Sequence, residues 1–301
     1  MQAITLAAGY GNRMRPLTLS RHKTMLEIAG RSVIEWIIAA LLEHNVTEIT
    51  VVTGYRAEEL QAHLSRVYPN VGVKYVHNDR YAETNNIYSM ALALEVVPIH
   101  SDVLLIESDL VFDSAVIGRL LASPHPNVAL VDRYQTGMDG TVVTIDDQNV
   151  ITNVIPPHLQ GTDFSFTDKY KTLNIYRFSK DFCQSAFNRL LTYYARAIDD
   201  NCYYELILGI VIYMQREVVH AAVVRGEEWS EIDDPNDLNM ARFMFEKSNR
   251  REILDRSFGG YWNYDVLDFC FIRNVYFPSS AVLAELKNNL YKLLQNYGST
   301  Q

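Results

Sequence analysis

Short apolar runs alternate with amphipathic segments along the first two thirds of the chain. Residues 3–7 are almost wholly apolar and stop just before Gly9, which predicts a short buried strand leading into a turn. Residues 32–44 carry apolar side chains at helical spacing, with Ser32 as N-cap and Glu35 at the capping-box position. A β-branched strand over 48–53 ends at Gly54, and a helix follows over 57–67. Further strands are predicted at 73–77, 102–107, 128–132 and 170–176, and a helix at 87–96. Residues 138–155 read as a hairpin about the polar turn 146–149, expected to be a lid strand pair without chemistry. Residues 181–215 are mostly helical and rich in aromatic side chains. Strand, helix, strand, helix, strand in this order argues for a parallel sheet with right-handed crossovers. Ligands of such sheets sit at the carboxyl ends of the strands.

Composition narrows the picture. The chain has 301 residues, enough for one large α/β domain with additions or for two small domains, and its 48% apolar content supports a real core. A formal net charge of −9 argues against nucleic acid or an anionic membrane as the main partner. Cys183, Cys202 and Cys270 are odd in number and widely spaced, which fits a reducing cytoplasm and neither a disulfide framework nor a zinc site. The apolar runs are too short to span a bilayer. The first strand begins at once, so no signal peptide is expected and a cytoplasmic location is. No internal repeat or low-complexity tract is apparent.

The first 27 residues run against the acidic trend. Gly9 and Gly11 follow the first strand, then Arg13, Arg15, Arg21, His22 and Lys23, and no acidic residue precedes Glu27. A strand, a glycine turn with open N–H groups and a cluster of cations form a place to hold a polyphosphate; the plain alternative is a chance glycine turn. It is not a P-loop, because Gly9 lacks the Gly-Lys-Ser/Thr partner, and the third glycine of a dinucleotide fingerprint is replaced by Met14. The run Leu6-Ala7-Ala8-Gly9, Gly11, Arg13, Met14, Pro16-Leu17-Thr18 and Lys23 resembles the signature of the nucleotidyltransferases that activate sugar 1-phosphates and phosphocholine. It departs at His22, where that family usually has proline.

The resemblance implies a three-layer, Rossmann-like α/β nucleotidyltransferase with a mixed, mainly parallel sheet and a C-terminal helical extension. It implies that the backbone from Leu6 to Gly11 cradles a nucleotide triphosphate, and that Arg13 and Lys23 offset charge on the α-phosphate and the leaving pyrophosphate. Asp109, after the strand at 102–107, maps onto a metal aspartate; the plain alternative is a helix N-cap. Residues 227–237 hold six acidic side chains and read by themselves as a solvated loop, but Trp229 and Ile232 are interleaved and Asp234-Pro235 opens a helix. Their pattern resembles the family's second metal carboxylate, which falls on Asp233. Asp109 and Asp233 are then expected to hold Mg²⁺ against the nucleotide.

Residues 78–90 resemble the Asn-Asp-Lys-Tyr…Asn-Asn run of phosphocholine cytidylyltransferases, and they favour CTP over other nucleotides. Thr84, Asn85 and Asn86 serve either as a helix N-cap or as amide and hydroxyl groups for base or ribose. Lys171, on a strand resembling one that crosses the acceptor pocket, is the candidate for the acceptor phosphate, with a surface lysine as the plain alternative. Tyr203, Tyr204 and Glu205 suit a cage for an ammonium group, or else belong to the core.

The resemblance covers residues 1–245. After it, Lys247, Arg250, Arg251 and Gly259-Gly260 read as a linker. Residues 267–297 resemble the opening of a PLP-dependent aminotransferase or decarboxylase, with an amphipathic helix over 281–294. The expectation is a nucleotidyltransferase domain at 1–245 and, at 246–301, a linker with the start of a PLP-dependent region as in phosphonate-pathway fusions. No Schiff-base lysine is assignable in it. Alternatively the last helix packs on the domain or makes a homodimer. The expected reaction is Mg²⁺-dependent transfer of CMP from CTP to a small phosphorylated or phosphonate amine. A sugar-1-phosphate enzyme using UTP or dTTP and a non-catalytic nucleotide-binding module are the alternatives.

Overall fold

The computed structural model describes residues 1–135, 137–161, 163–256, 264, 266 and 279–295. Strand β1, Gln2–Ala7, is buried along its whole length. Three 3₁₀ turns and the small hairpin β2 (Glu27–Ile28) and β3 (Arg31–Ser32) carry the chain to helix α1, Val33–Glu43. The Ser32 N–H donates to Glu35 Oε2 at 3.2 Å, as the capping pattern predicts. Then come β4 (Glu48–Thr53), α2 (Ala57–Val67), β5 (Lys74–His77), α3 (Asn86–Val96), β6 (Val103–Glu107), the short β7 (Leu110–Phe112) and α4 (Ser114–Ala122). Strands β8 (Val128–Arg133), β9 (Val142–Ile145), β10 (Ile151–Ile155) and β11 (Tyr170–Phe178) follow. Helices α5 (Lys180–Gln184), α6 (Ala186–Ala197) and α7 (Glu205–Tyr213) precede β12 (His220–Val223), β13 (Trp229–Glu231), α8 (Pro235–Phe245) and α9 (Arg250–Asp255).

Nine strands form one mixed sheet in the order β10-β9-β11-β6-β1-β4-β5, with β8 paired to β11 and β12. Strand β1 lies between β4 and β6, parallel to both, and β5 extends the parallel part. Strand β11 enters antiparallel to β6, β8 and β9. Alternate residues of β1 serve the two faces. Ile4 and Leu6 join the core under α3, α6 and α7, whereas Ala3 and Ala7 join the core under α1, α2 and α4. Helices therefore cover both faces, and the three layers predicted from the sequence are present.

The hairpin at 138–155 forms, but it is no free lid. Strand β9 pairs with β11, and Val143 and Ile151 are buried in the main core. Its apolar side chains had a sheet face to cover, which the local turn signal does not reveal. The chain divides into two compact units, Met1–Asp255 and Arg256–Gln301. The residues read as a Gly-Gly linker, and 267–278 of the PLP-like stretch, lie outside the described residues. Of that tail, helix α10 (Ser280–Gln295) is formed, close to its predicted bounds. No helix among the described residues is long and apolar enough to cross a membrane.

Candidate active site

The carboxyl end of β1 delivers the glycine turn to the centre of the sheet edge. Gly11 adopts φ +62°, which favours glycine, and a Cβ there would crowd the Lys23 Cβ at 3.0 Å. A Cβ at Gly9 would meet nothing within 4 Å, so glycine there leaves the loop backbone open to a ligand. The loop is tied from behind. Thr18 Oγ1 donates to the Gly11 carbonyl at 2.8 Å, and the Tyr55 N–H donates to the Ala8 carbonyl at 3.0 Å.

His22 stands where the related signature has proline, and it is buried. Its Nδ1 accepts from the Thr24 N–H at 3.2 Å, capping the turn that presents Lys23. Burial pushes the imidazole pKa down to about 4 and holds it neutral.

Lys23 Nζ lies 2.9 Å from Asp233 Oδ1 and 3.2 Å from Asp109 Oδ2. Arg13 Nη2 reaches Asp233 Oδ2 at 2.9 Å. Burial opposes the Lys23 charge, but the two aspartates more than offset it and raise its pKa. A small sheet brings the aspartates together. Strand β13 pairs antiparallel with β7, and the Ile232 N–H donates to the Asp109 carbonyl at 2.8 Å. Asp234 caps α8 directly after Asp233, and Met14, Val111, Ile232 and Leu238 pack beneath in one apolar cluster. The plain readings of Asp109 as a helix cap and of 227–237 as a solvated loop do not hold: Asp113 caps α4, and Asp233 is mostly buried.

The carboxylates suit a hard divalent cation. Asp109 Oδ1 is buried with no hydrogen-bond partner. Among the described residues Asp139, Glu231 and Asp233 also hold carboxylate oxygens within 4.8 Å of one another.

The loop opens on a cleft of about 180 Å³. One wall holds Leu6, Ala8, Gly9 and Gly11, another Lys23 with Asp109, and a third Tyr81, Thr84, Asn85 and Asn86. The last three side chains do different work. Asn85 Oδ1 accepts from the Asn86 N–H at 2.8 Å and caps α3. Thr84 Oγ1 donates to the Arg80 carbonyl at 2.9 Å. Asn86 is occupied within the protein: its Oδ1 accepts from the Tyr204 N–H at 2.9 Å, and its Nδ2 donates to Glu107 Oε1 at 2.9 Å.

Glu107 was not singled out from the sequence, and neither was Glu231. Each is the last residue of its strand and stands two positions before one of the aspartates, and that spacing is the signal for them. Glu107 and Glu205 both face the Asn86 amide. Burial raises the pKa of both, Glu205 to about 6, and Glu107 is raised further by the Glu205 charge.

Lys171 is not a surface lysine. Its side chain is 2% exposed and lies 3.0 Å from Glu231 Oε2, and it does not line the cleft. Tyr203 is exposed and Tyr204 fully buried.

A mixed sheet between two helical layers, with a glycine loop, two cations and paired aspartates at its carboxyl edge, is the arrangement of a nucleotidyltransferase. The chain belongs to the family of MobA-like NTP transferase domains, whose profile matches residues 3–200. It is similar to the CMP-5'-(3-aminopropyl)phosphonate synthase of Streptomyces rubellomurinus, 30% identical over 300 residues, which is 99% of this chain and 48% of that protein. The chain thus spans about half the length of this relative. The choline-phosphate cytidylyltransferase of Haemophilus influenzae is 31% identical over 172 residues, 54% of this chain and 68% of the relative. The structure of a CTP:phosphocholine cytidylyltransferase from Streptococcus pneumoniae superposes with TM-score 0.64 at 19% identity, covering 80% of this chain and 97% of that one.

Proposed function

We propose that the chain is a cytidylyltransferase that moves CMP from CTP to a small phosphorylated or phosphonate amine and releases pyrophosphate. The observation that carries this reading is the placing of Lys23 between Asp109 and Asp233 at the mouth of the glycine loop. It sets a cation, paired carboxylates and a backbone anion cradle around one point. The relatives named above supply the base and the acceptor class, and Glu107, which lines the cleft, with Glu205 beside it on the Asn86 amide, offers carboxyl groups to an acceptor bearing an ammonium group.

In this reading an acceptor phosphoryl oxygen attacks the α-phosphorus of CTP. A new P–O bond forms, the bond to the α,β-bridging oxygen breaks, and pyrophosphate leaves with the electron pair. The attacking oxygen is already anionic, so no general base is needed. The chain's task is to position and to offset charge. The loop N–H groups hold the triphosphate, and Lys23 and Arg13 stand over the α-phosphate and the leaving group. Asp109 and Asp233 are the groups that would hold Mg²⁺, which supplies charge neutralisation between nucleotide and acceptor when bound. Lys171 acts from behind, by fixing Glu231 beside this pair. Residues 246–301 are read as a linker and the start of a PLP-dependent region.

The test is pyrophosphate release with Mg²⁺, each of the four NTPs being paired with phosphocholine, phosphoethanolamine, aminoalkylphosphonates and hexose 1-phosphates. Turnover confined to CTP with amine acceptors is the expected result. Turnover with a hexose 1-phosphate and UTP or dTTP overturns it.

A further inference from the structure

Three tyrosines from three separate segments meet beside the nucleotide loop. Tyr10 lies between the two loop glycines, Tyr55 follows β4, and Tyr81 precedes α3. The Tyr10 ring centroid is 4.9 Å from Tyr55 and 5.1 Å from Tyr81, the second pair meeting nearly edge to face. Tyr55 is fixed from both ends. Its N–H donates to the Ala8 carbonyl at 3.0 Å, and its hydroxyl donates to the Thr18 carbonyl at 3.1 Å.

Tyr81 alone of the three lines the cleft. Its approach to the loop depends on Gly54, where a Cβ would fall 2.6 Å from the Tyr81 Cβ and 2.7 Å from the Ala8 carbonyl oxygen. Tyr81 therefore stands at the Ala8 end of the loop. Lys23 stands at the Gly11 end, 3.0 Å from the position of a Cβ on that glycine.

We infer that Tyr81, braced by Tyr10 and Tyr55, is the stacking wall for the nucleobase, and so a binding residue that separates a nucleotide from bare polyphosphate. The inference rests on the nucleotide-binding reading above. A nucleotide that leaves its phosphates at the Gly11–Lys23 end carries its base toward the Ala8 end, where an aromatic face is available. Stacking on an aromatic side chain tolerates different bases, so the wall adds affinity for the base, and hydrogen-bonding groups elsewhere choose among bases. Rigidity matters here, since a ring already held by two others loses little freedom when a base covers it.

The experiment compares CTP with inorganic tripolyphosphate as ligands of the full chain, by calorimetry and by competition in the pyrophosphate assay. Tyr81→Ala is expected to weaken CTP roughly tenfold, the order that one lost base–aromatic stack implies, with tripolyphosphate unchanged. Tyr81→Phe is expected to bind CTP as wild type does. Unchanged CTP binding in Tyr81→Ala overturns the inference, and so does an equal loss for both ligands. A second readout needs no variant: on wild-type protein, the cytosine H5 and H6 resonances of bound CTP are expected to move upfield by ring current. No upfield movement overturns the stacking. CTP binding in wild type without these effects removes the wall and leaves the proposed reaction standing. A wild-type protein that binds no nucleotide removes both.

Discussion

Lys23 and Asp233 are 210 positions apart in sequence and their charged atoms are 2.9 Å apart in space. The contact places one ammonium between two carboxylates, with Asp109 at 3.2 Å on the other side. In the reaction proposed here that ammonium faces the transferring phosphoryl group. Lys23→Ala is expected to lower turnover on the order of 10²-fold or more, the loss typical of removing one preorganised charge donor. Circular dichroism checks the fold, and pyrophosphate release under saturating CTP measures the loss. A folded Lys23→Ala variant with near-normal turnover removes the residue from the chemistry.

The glycine loop and Lys23 were legible because they are contiguous: strand, turn and cation follow one another within 23 residues. The three layers were legible because each strand and helix carries its own period. Asp109 and Asp233 were paired only through the family resemblance; the strands that bring them together, β7 and β13, are three residues each, a pattern too short to read. Asn86 shows a different limit. As an amide before a helix it looks free for a ligand, and only the fold brings Tyr204 and Glu107 to its two ends. Lys171 likewise looks like an exposed strand lysine until Glu231 arrives 60 positions later.

His22 gives an acid-sensitive contribution to stability. Its pKa in the folded chain is about 4, below the ordinary value of 6.5. The unfolded chain therefore binds more protons between these values, and stability is present above pH 6.5 and lost as the pH falls toward 4. The shift corresponds to about 3 kcal/mol at full extent. Urea midpoints taken at about pH 7, 5.5 and 4.5 are expected to fall more steeply for wild type than for His22→Gln. Parallel curves place the acid sensitivity elsewhere.

Lys171 and Glu231 are a buried ion pair, so removing one partner is expected to cost more than removing both. Burial opposes the Lys171 charge, but Glu231, Asp109 and Glu107 together raise its pKa. Lys171→Met strands the Glu231 carboxylate and is expected to cost about 3 kcal/mol, near the low end for a broken buried pair because Glu231 is 19% exposed. The double variant Lys171→Met/Glu231→Leu is expected to recover part of that loss. Denaturant unfolding of the four species makes a double-mutant cycle. A double variant no more stable than the single one means that the two charges are not coupled.

In the proposed reaction, Glu205 makes acceptor binding depend on pH. Burial raises its pKa from 4.5 to about 6, and the Asn86 amide from which it accepts is shared with Glu107. The neutral form is thus favoured in the folded chain. It contributes stability that is fully present below pH 4.5 and lost as the pH rises through about 6. An ammonium acceptor has the opposite preference, because it pairs with the ionised carboxylate. Its KM is therefore expected to fall as the pH rises from about 5 to about 7, with the KM for CTP unchanged. Glu205→Gln removes the titrating charge, and is expected to flatten this profile and to raise the acceptor KM roughly tenfold or more, as for a lost charge-assisted hydrogen bond. The acceptor's own phosphoryl group titrates nearby, so the difference between wild type and variant is the readout. Identical profiles for the two proteins mean that the ammonium group binds away from Glu205.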